Sequence, residues 1–196
     1  MSDILCIYYS RTGATRTLMR ELAEALDAEC VEITDGIDRS GKLGFLLCGL
    51  DAMRQGTRRL LPYKTERPLG DYRLVLLGTP IWAGRCSSIM RGFLKRHGLE
   101  LSRVGYVLTR GSDNEYREVF DQMDRYTAAP RMAETSLRFD ETGYHFWRDQ
   151  FLKELGAVLE TIGDVPPTDR EIIDFVPPAD TPRKRRSRKK KDEKDA

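Results

Sequence analysis

Ile4-Leu5-Cys6-Ile7-Tyr8-Tyr9 leads directly into Ser10-Arg11-Thr12-Gly13-Ala14-Thr15. The apolar run predicts a buried strand, and the amphipathic segment from Leu18 to Leu26 predicts a helix after it. The loop between them points backbone N–H groups and hydroxyls at the helix N-terminus, where the helix dipole also attracts negative charge. It lacks the lysine of a nucleoside-triphosphate loop and the spaced glycines of a dinucleotide loop. It therefore predicts a site for one terminal phosphate monoester, and the alternative is a turn capped by Ser and Thr.

A second strand and loop have the same form. Leu74-Val75-Leu76-Leu77 predicts a buried strand, and it is followed by Gly78-Thr79-Pro80-Ile81-Trp82-Ala83-Gly84-Arg85 and a helix-like segment from Ser87 to His97. With these two motifs the chain resembles the flavodoxin-like FMN-binding family, which includes the short-chain flavodoxins. S-x-T-G-x-T resembles that family's phosphate loop, and G-T-P-I-W-A-G-R resembles its first ring-binding loop. The resemblance covers about residues 3 to 162.

The resemblance implies FMN as cofactor. Its phosphate would be held by six successive residues: Ser10, Arg11, Thr12, Gly13, Ala14 and Thr15. The three hydroxyls would donate hydrogen bonds, and the backbone around Gly13 would donate N–H groups because a glycine lets the chain turn close to the ligand. Arg11 could pair with the phosphate or point into water, and both alternatives stay open.

Trp82 is the residue expected to stack on the flavin ring, because an indole there can bury apolar surface against the isoalloxazine. A tryptophan that fills the core is the alternative. The other residues of this loop would shape the turn and leave room for backbone groups at the polar edge of the ring: Thr79, Pro80, Ile81, Ala83 and Gly84.

Thr109, Arg110 and Gly111 begin the loop after the fourth predicted strand and should belong to the second ring-binding loop. This loop departs from typical electron-carrier flavodoxins, which place an aromatic and acidic residues here. We expect its first aromatic residue, Tyr116, to lie on the following helix. Arg110 could stabilise reduced, anionic flavin and raise its reduction potential, or it could turn outward to solvent. An electron carrier and a reductase linked to NAD(P)H or a quinone therefore both remain open.

Short apolar strands alternate with helical patterns along the chain. Strands are predicted near 3–9, 30–34, 73–79, 103–109 and 133–139, and helices over 13–27, 43–57, 85–97, 113–126 and 144–160. The alternation predicts an α/β fold of three layers, a doubly wound five-stranded parallel sheet with helices on both faces. The natural order is the flavodoxin-like 2-1-3-4-5, whose ligand crevice lies beyond the carboxyl ends of strands one and three. Both motifs fall there.

Two further predictions concern helix faces. An apolar stripe in the second helix should mostly cover the sheet: Leu43, Leu46, Leu47, Leu50 and Met53. Phe45 and Cys48 lie off this stripe, either at the crevice or in a dimer contact, although we favour the core for both. Cys86 is expected to begin the third helix, where the dipole can lower a thiol pKa, although a residue without function is favoured.

Charge is distributed unevenly along the 196 residues. We expect residues 1–162 to form the FMN-binding domain, 163–180 a proline-containing extension and 181–196 a disordered basic tail. The tail holds nine Lys or Arg and three Asp or Glu, and such a run repels itself. Binding of nucleic acid through it is disfavoured because no aromatic residues are interleaved.

Several function classes are disfavoured by what the sequence lacks. No apolar run approaches the roughly 20 residues of a membrane span, and no secretory signal is expected. The four cysteines show no C-x-x-C or metal spacing, which favours reduced thiols in the cytoplasm. Neither a metal site nor a catalytic residue is predicted.

The function expected is that of an FMN-binding redox protein. Its partner would be a redox protein or a small-molecule electron donor or acceptor, and a homodimer is possible. The competing hypothesis is a flavodoxin fold that has lost FMN and acts through protein or nucleic-acid contacts, because a fold does not fix a function.

Overall fold

A parallel sheet lies at the centre of the protein. The computed structural model describes residues 2–54, 56–128, 131–139 and 141–163. The strands in those ranges are β1 (Ile4–Tyr8), β2 (Glu29–Glu32), β3 (Leu74–Trp82), β4 (Arg85–Cys86), β5 (Val104–Arg110) and β6 (Arg131–Arg138). The α-helices in those ranges are α1 (Ala14–Ala25), α2 (Gly41–Met53), α3 (Ser88–His97), α4 (Glu118–Asp124) and α5 (Tyr144–Ile162).

The sheet has the order β2-β1-β3-β5-β6, and all of these neighbours are parallel. The predicted α/β class and the order 2-1-3-4-5 are confirmed, because β4 is a short addition that pairs antiparallel with the end of β3. This order places a topological switch point between β1 and β3, beyond their carboxyl ends.

Two cores cover the two faces of the sheet. Alternate residues of β1 divide between them, with Leu5 and Ile7 on the face of α2, α3 and α4, and Cys6 and Tyr8 on the face of α1 and α5. All five residues of β1 are buried, since helices pack on both sides of a parallel sheet. The predicted three layers therefore follow from the continuous apolar runs of the central strands.

The second predicted loop is in fact a β-hairpin. Strand β3 continues to Trp82, and Ala83 and Gly84 both have positive φ, 45° and 68°, before the chain returns as β4. Such a two-residue turn matches the twist of the strands it joins. The third helix accordingly begins later than predicted, at Ser88, and Ser87 caps it by accepting the N–H of Met90.

The predicted apolar stripe of α2 faces away from the core. Gly44, Cys48 and Ala52 are the buried residues of this helix. Four of the five predicted core residues are exposed instead: Leu43, 78%; Leu46, 58%; Leu47, 46%; Met53, 63%. The reason is close packing, because a Cβ at Gly44 would collide with the backbone carbonyl of Arg39. Small residues therefore occupy the inner face, and the prediction for the stripe is wrong.

The predicted proline-containing extension and basic tail lie outside the described residues, apart from Gly163. In the part of the chain that is described, no helix is both long enough and apolar enough to cross a bilayer.

Candidate functional site

The loop after β1 forms a compact turn at the start of α1. Gly13 has φ of 106° and is the N-cap residue of this helix, with no side-chain cap. The buried Ser10 hydroxyl accepts the Gly13 N–H at 3.1 Å, which holds the turn together. Thr12 lies at the surface, whereas Thr15 is buried and its hydroxyl contacts that of Thr109 at 2.7 Å. The start of α1 and the end of β5 are thereby joined.

A cavity of about 350 Å³ lies where the three predicted loops meet. We call it the phosphate-side chamber. Ten of the predicted residues line it: Arg11, Thr12, Ala14, Thr15, Pro80, Ile81, Trp82, Thr109, Arg110 and Gly111. Phe45 and Phe139 complete the lining. Phe45 is 67% exposed, so the core position favoured for it is wrong and it lies at the crevice instead, whereas Phe139 was not predicted. The segments are far apart in sequence, and the parallel sheet brings them together at the carboxyl ends of its strands.

The remaining predicted residues support the site from outside this chamber. Thr79 is fully buried, and its hydroxyl donates to Ser87 at 3.0 Å and accepts the Ser87 N–H at 3.1 Å. It therefore fixes the hairpin against the start of α3. Ala83 and Gly84 form the hairpin turn, where the positive φ of the backbone explains the glycine.

A second cavity, also of about 350 Å³, adjoins the first, and we call it the apolar chamber. It shares Phe45, Ile81, Trp82 and Gly111 with the phosphate-side chamber. Its further lining is Cys48, Gly49, Ala83, Ser112 and Tyr116. None of these described lining residues is charged, so the crevice combines a hydroxyl-lined end with an apolar end.

Trp82 lies on the wall between the two chambers and the core. Only 6% of it is exposed, and it belongs to the core on the α2 side of the sheet. Its ring meets Tyr9 edge-on, with centroids 5.5 Å apart, and the guanidinium of Arg39 lies 5.8 Å from its centroid. One part of the indole therefore packs in the core while another part borders both chambers. The core position considered for Trp82 and its predicted place in the crevice are thus compatible.

Arg39 is a buried cation that the sequence pattern did not reveal. Its guanidinium donates to both carboxylate oxygens of Asp35, at 2.6 and 2.5 Å, and Asp51 on α2 lies 3.7 Å away. Burial opposes ionisation of Asp35, but its hydrogen bonds with Arg39 hold the pKa of this carboxyl below its ordinary value. The ion pair fixes the loop before α2 beneath Trp82, and the Nε atom of Arg39 has no hydrogen-bond partner among the described residues.

Tyr116 lies in the loop between β5 and α4, which the sequence predicted to bind the ring, so its predicted place on the next helix is wrong. Helix α4 begins only at Glu118. The Asn114 side chain accepts the Tyr116 N–H at 3.1 Å, which makes a local turn, and the Tyr116 hydroxyl lies 3.0 Å from that of Ser112. The loop therefore has an aromatic residue on the apolar chamber after all.

Arg110 does not turn outward to solvent, so that alternative is wrong. Only 8% of its side chain is exposed, and it donates to the Ser112 carbonyl at 2.6 Å and to Glu141 at 3.1 Å. It lines the phosphate-side chamber, but its charge is paired with a carboxylate. This pairing weakens its electrostatic effect on a ligand in the crevice.

Arg11 and Cys86 complete the predicted positions. Arg11 donates to the Arg39 carbonyl at 3.4 Å and lies 5.6 Å from the ring centroid of Phe45, so it bridges the loop and α2. Cys86 is buried in β4 and does not begin a helix. Burial raises the pKa of its thiol to about 11, so the alternative of a thiol with a lowered pKa, which the sequence did not favour, is wrong. Among the described residues, no group of three or more His, Cys, Asp or Glu is placed to hold a metal ion.

Solved structures share this fold, although no protein-family model matches the chain. A flavoprotein of Lactobacillus acidophilus NCFM, solved in complex with FMN, is 18% identical with a TM-score of 0.58, over 75% of this chain and 99% of that one. Provisionally named flavoproteins of Bacteroides uniformis ATCC 8492 and Bacteroides eggerthii DSM 20697 are 19% and 22% identical, with TM-scores of 0.60 and 0.59. They cover 79% and 77% of this chain and 98% of their own. The likeness and the strand order together confirm the flavodoxin-like fold.

Proposed function

We propose that the chain is an FMN-binding redox protein. The observation that carries this proposal is the continuous crevice at the switch point of the sheet, with hydroxyls at one end and an uncharged, aromatic-lined chamber at the other. Each chamber falls within the roughly 300–1,000 Å³ of ligand pockets. The L. acidophilus flavoprotein that shares the fold was solved with FMN, which supports the same ligand here.

The phosphate of FMN would bind in the loop from Ser10 to Thr15, at the uncapped N-terminus of α1. Hydroxyls and free N–H groups there suit a dianion because the helix dipole adds to their attraction. Arg11 would gain a charged partner if it left the Arg39 carbonyl, to which it donates at 3.4 Å. The absence of a second phosphate motif in the sequence favours FMN over FAD.

The flavin ring would occupy the apolar chamber, where Trp82 and Tyr116 both line the cavity. FMN itself supplies one-electron and two-electron redox chemistry, which no side chain of the protein can provide. The residues of the crevice would bind and orient the ring and exclude water from it. The four cysteines are free, which supports a cytoplasmic location in which thiols stay reduced.

Two features favour an electron carrier over a reductase. Tyr116 supplies the aromatic residue that carriers place in the second ring-binding loop. The pairing of Arg110 with Glu141 reduces the positive field expected to raise the flavin potential. The redox partner would then be another protein, whereas a reductase would accept electrons from NAD(P)H or pass them to a quinone.

One experiment separates these functions from a module that has lost FMN. The protein is purified, incubated with FMN and desalted, and its visible spectrum is recorded before and after anaerobic addition of NADPH, NADH or dithionite. Retained flavin bands that dithionite bleaches, and that the nicotinamides leave unchanged, are expected of a carrier. Bleaching by a nicotinamide would identify a reductase. Protein free of flavin bands would reject FMN binding.

A further inference from the structure

The outward face of α2 is the largest exposed group of apolar side chains on one helix of the described chain. Leu43, Leu46 and Leu47 lie at i, i+3 and i+4, and are neighbours on the helix surface. Met53 continues the group at the end of the helix, and we refer to these four residues as the α2 face. All four are exposed by 46 to 78%. Contiguous apolar surface of this kind marks a site of interaction with another surface.

The residues around the α2 face are mostly cationic. Lys42 and Arg54 are exposed at its two ends. The acidic residues between positions 36 and 64 are Asp38 and Asp51. Asp51 is already bound to Arg58, at 2.6 Å. A partner that covers the face must therefore accept apolar side chains in its centre and positive charge at its rim.

This combination disfavours a second copy of the chain as the partner. In a two-fold dimer the same patch lies on both sides of the interface. Packing α2 against itself would bring Lys42 and Arg54 of one copy towards the like charges of the other. A carboxylate on the α2 face could offset that repulsion, but the face has none. An anionic surface satisfies both the apolar centre and the basic rim.

The sequence contains a second group of positive charges, in the basic tail. Eight of the nine residues from Arg183 to Lys191 are Lys or Arg. Peripheral membrane binding generally needs two weak signals together, such as inserted apolar groups and a polybasic segment. The chain has both, and both would be attracted to the anionic headgroups of a lipid leaflet.

We propose that the α2 face docks on an anionic lipid bilayer, with Leu43, Leu46 and Leu47 inserted at the boundary between headgroups and acyl chains. Lys42 and Arg54 contact the headgroups, and the net positive charge of residues 181–196 adds to the electrostatic attraction. The helix also presents Phe45 to both chambers, so docking turns the mouth of the crevice towards the bilayer. This inference goes beyond the proposed function and does not depend on whether FMN binds.

Vesicle co-sedimentation of the full chain tests the proposal. Vesicles of phosphatidylcholine mixed with phosphatidylglycerol are compared with vesicles of phosphatidylcholine alone, at low and high salt. The test variant carries Leu43→Gln, Leu46→Gln and Leu47→Gln, which are exposed positions outside the crevice. The matched control carries Phe146→Gln and Trp147→Gln, two exposed aromatic residues on α5, across the sheet. A third variant replaces the basic residues of 183–191 by Gln.

The proposal predicts that the wild type binds the anionic vesicles and that salt weakens this binding. The triple variant should bind about tenfold more weakly or worse, because it loses three inserted side chains. The vesicle affinity of the α5 control should stay within about twofold of that of the wild type, because its substitutions are on the surface and away from the docking face. Flavin affinity, measured separately, should be the same in all of these proteins.

Three results would overturn the proposal. The first is a wild type that fails to bind anionic vesicles at low salt. The second is a triple variant that binds as well as wild type while neutralising the tail abolishes binding, because the tail alone would then be responsible. The third is a lipid-free dimer that the triple variant converts to a monomer without loss of vesicle binding, which would assign the face to a second copy.

Discussion

Helices α1 and α2 both border the crevice, but they bury opposite kinds of side chain. On α1 the buried residues are mostly large, among them Leu18, Met19 and Leu22. On α2 they are small, Gly44, Cys48 and Ala52, while the leucines point outward. Helix α1 packs on the sheet through large side chains that fill the space between them. Helix α2 passes so close to the backbone of Arg39 that only small residues fit on its inner face. The contrast teaches that apolar periodicity alone does not tell which face of a helix is inside.

The largest expected effect compares a leucine from each helix. Leu22→Ala removes a fully buried side chain of α1 and should lower the free energy of unfolding by about 2–5 kcal/mol. Leu46→Ala removes one that is 58% exposed and should change it by less than about 0.5 kcal/mol. Urea unfolding followed by circular dichroism measures both. Equal losses in the two variants would show that the leucines of α2 are buried in solution.

A smaller effect is expected from two glycines within α2. A Cβ at Gly44 would meet the Arg39 backbone, so Gly44→Ala should destabilise the fold by about 1–3 kcal/mol. Gly49 is the matched control, because no described atom beyond its chain neighbours and the backbone of its own helix lies within 4 Å of its Cβ position. Gly49→Ala should stabilise by about 0.5–1 kcal/mol, since alanine favours the helix. If Gly44→Ala proves neutral in thermal unfolding, the close approach of α2 to the Arg39 backbone is wrong.

The smallest effect concerns ligand affinity at the α1 side of the crevice. Thr12→Val with Thr15→Val removes two hydroxyls that line the phosphate-side chamber. FMN affinity should fall about tenfold or more, because the loss of even one hydrogen bond to a charged group costs about 1.5 kcal/mol, and about 1.4 kcal/mol corresponds to a factor of ten. Thr17→Val, an exposed change on the same helix, should leave affinity unchanged. Fluorescence titration measures all three proteins, and matching affinities would place the phosphate elsewhere.

Those parts of the fold that depend on local pattern could be predicted from the sequence. The continuous apolar runs of β1 and β3 predicted strands that are covered on both faces, and the loops after these strands indicated the position of the switch point. The glycine at position 84 was expected to leave space, yet its role in a two-residue hairpin became visible only when β4 returned along β3.

Features that depend on tertiary packing could not be predicted in the same way. The inner face of α2 has its own helical spacing, at positions 44, 48 and 52, but only the proximity of the Arg39 backbone selects it over the leucines. The Asp35–Arg39 ion pair likewise forms between residues that look like ordinary surface charges. The loop position of Tyr116 could have been predicted, because Asn114, two residues earlier, favours a turn and so places the start of the helix after Tyr116.

The most direct test of the central claim is to titrate the wild-type protein with FMN and with riboflavin, following flavin fluorescence. The two ligands share the ring and differ in the terminal phosphate, so their difference isolates the loop from Ser10 to Thr15. FMN is expected to bind at least about tenfold tighter, because the phosphate gains charge-assisted hydrogen bonds at the start of α1. Equal affinities for the two flavins, or no binding of FMN, would contradict it.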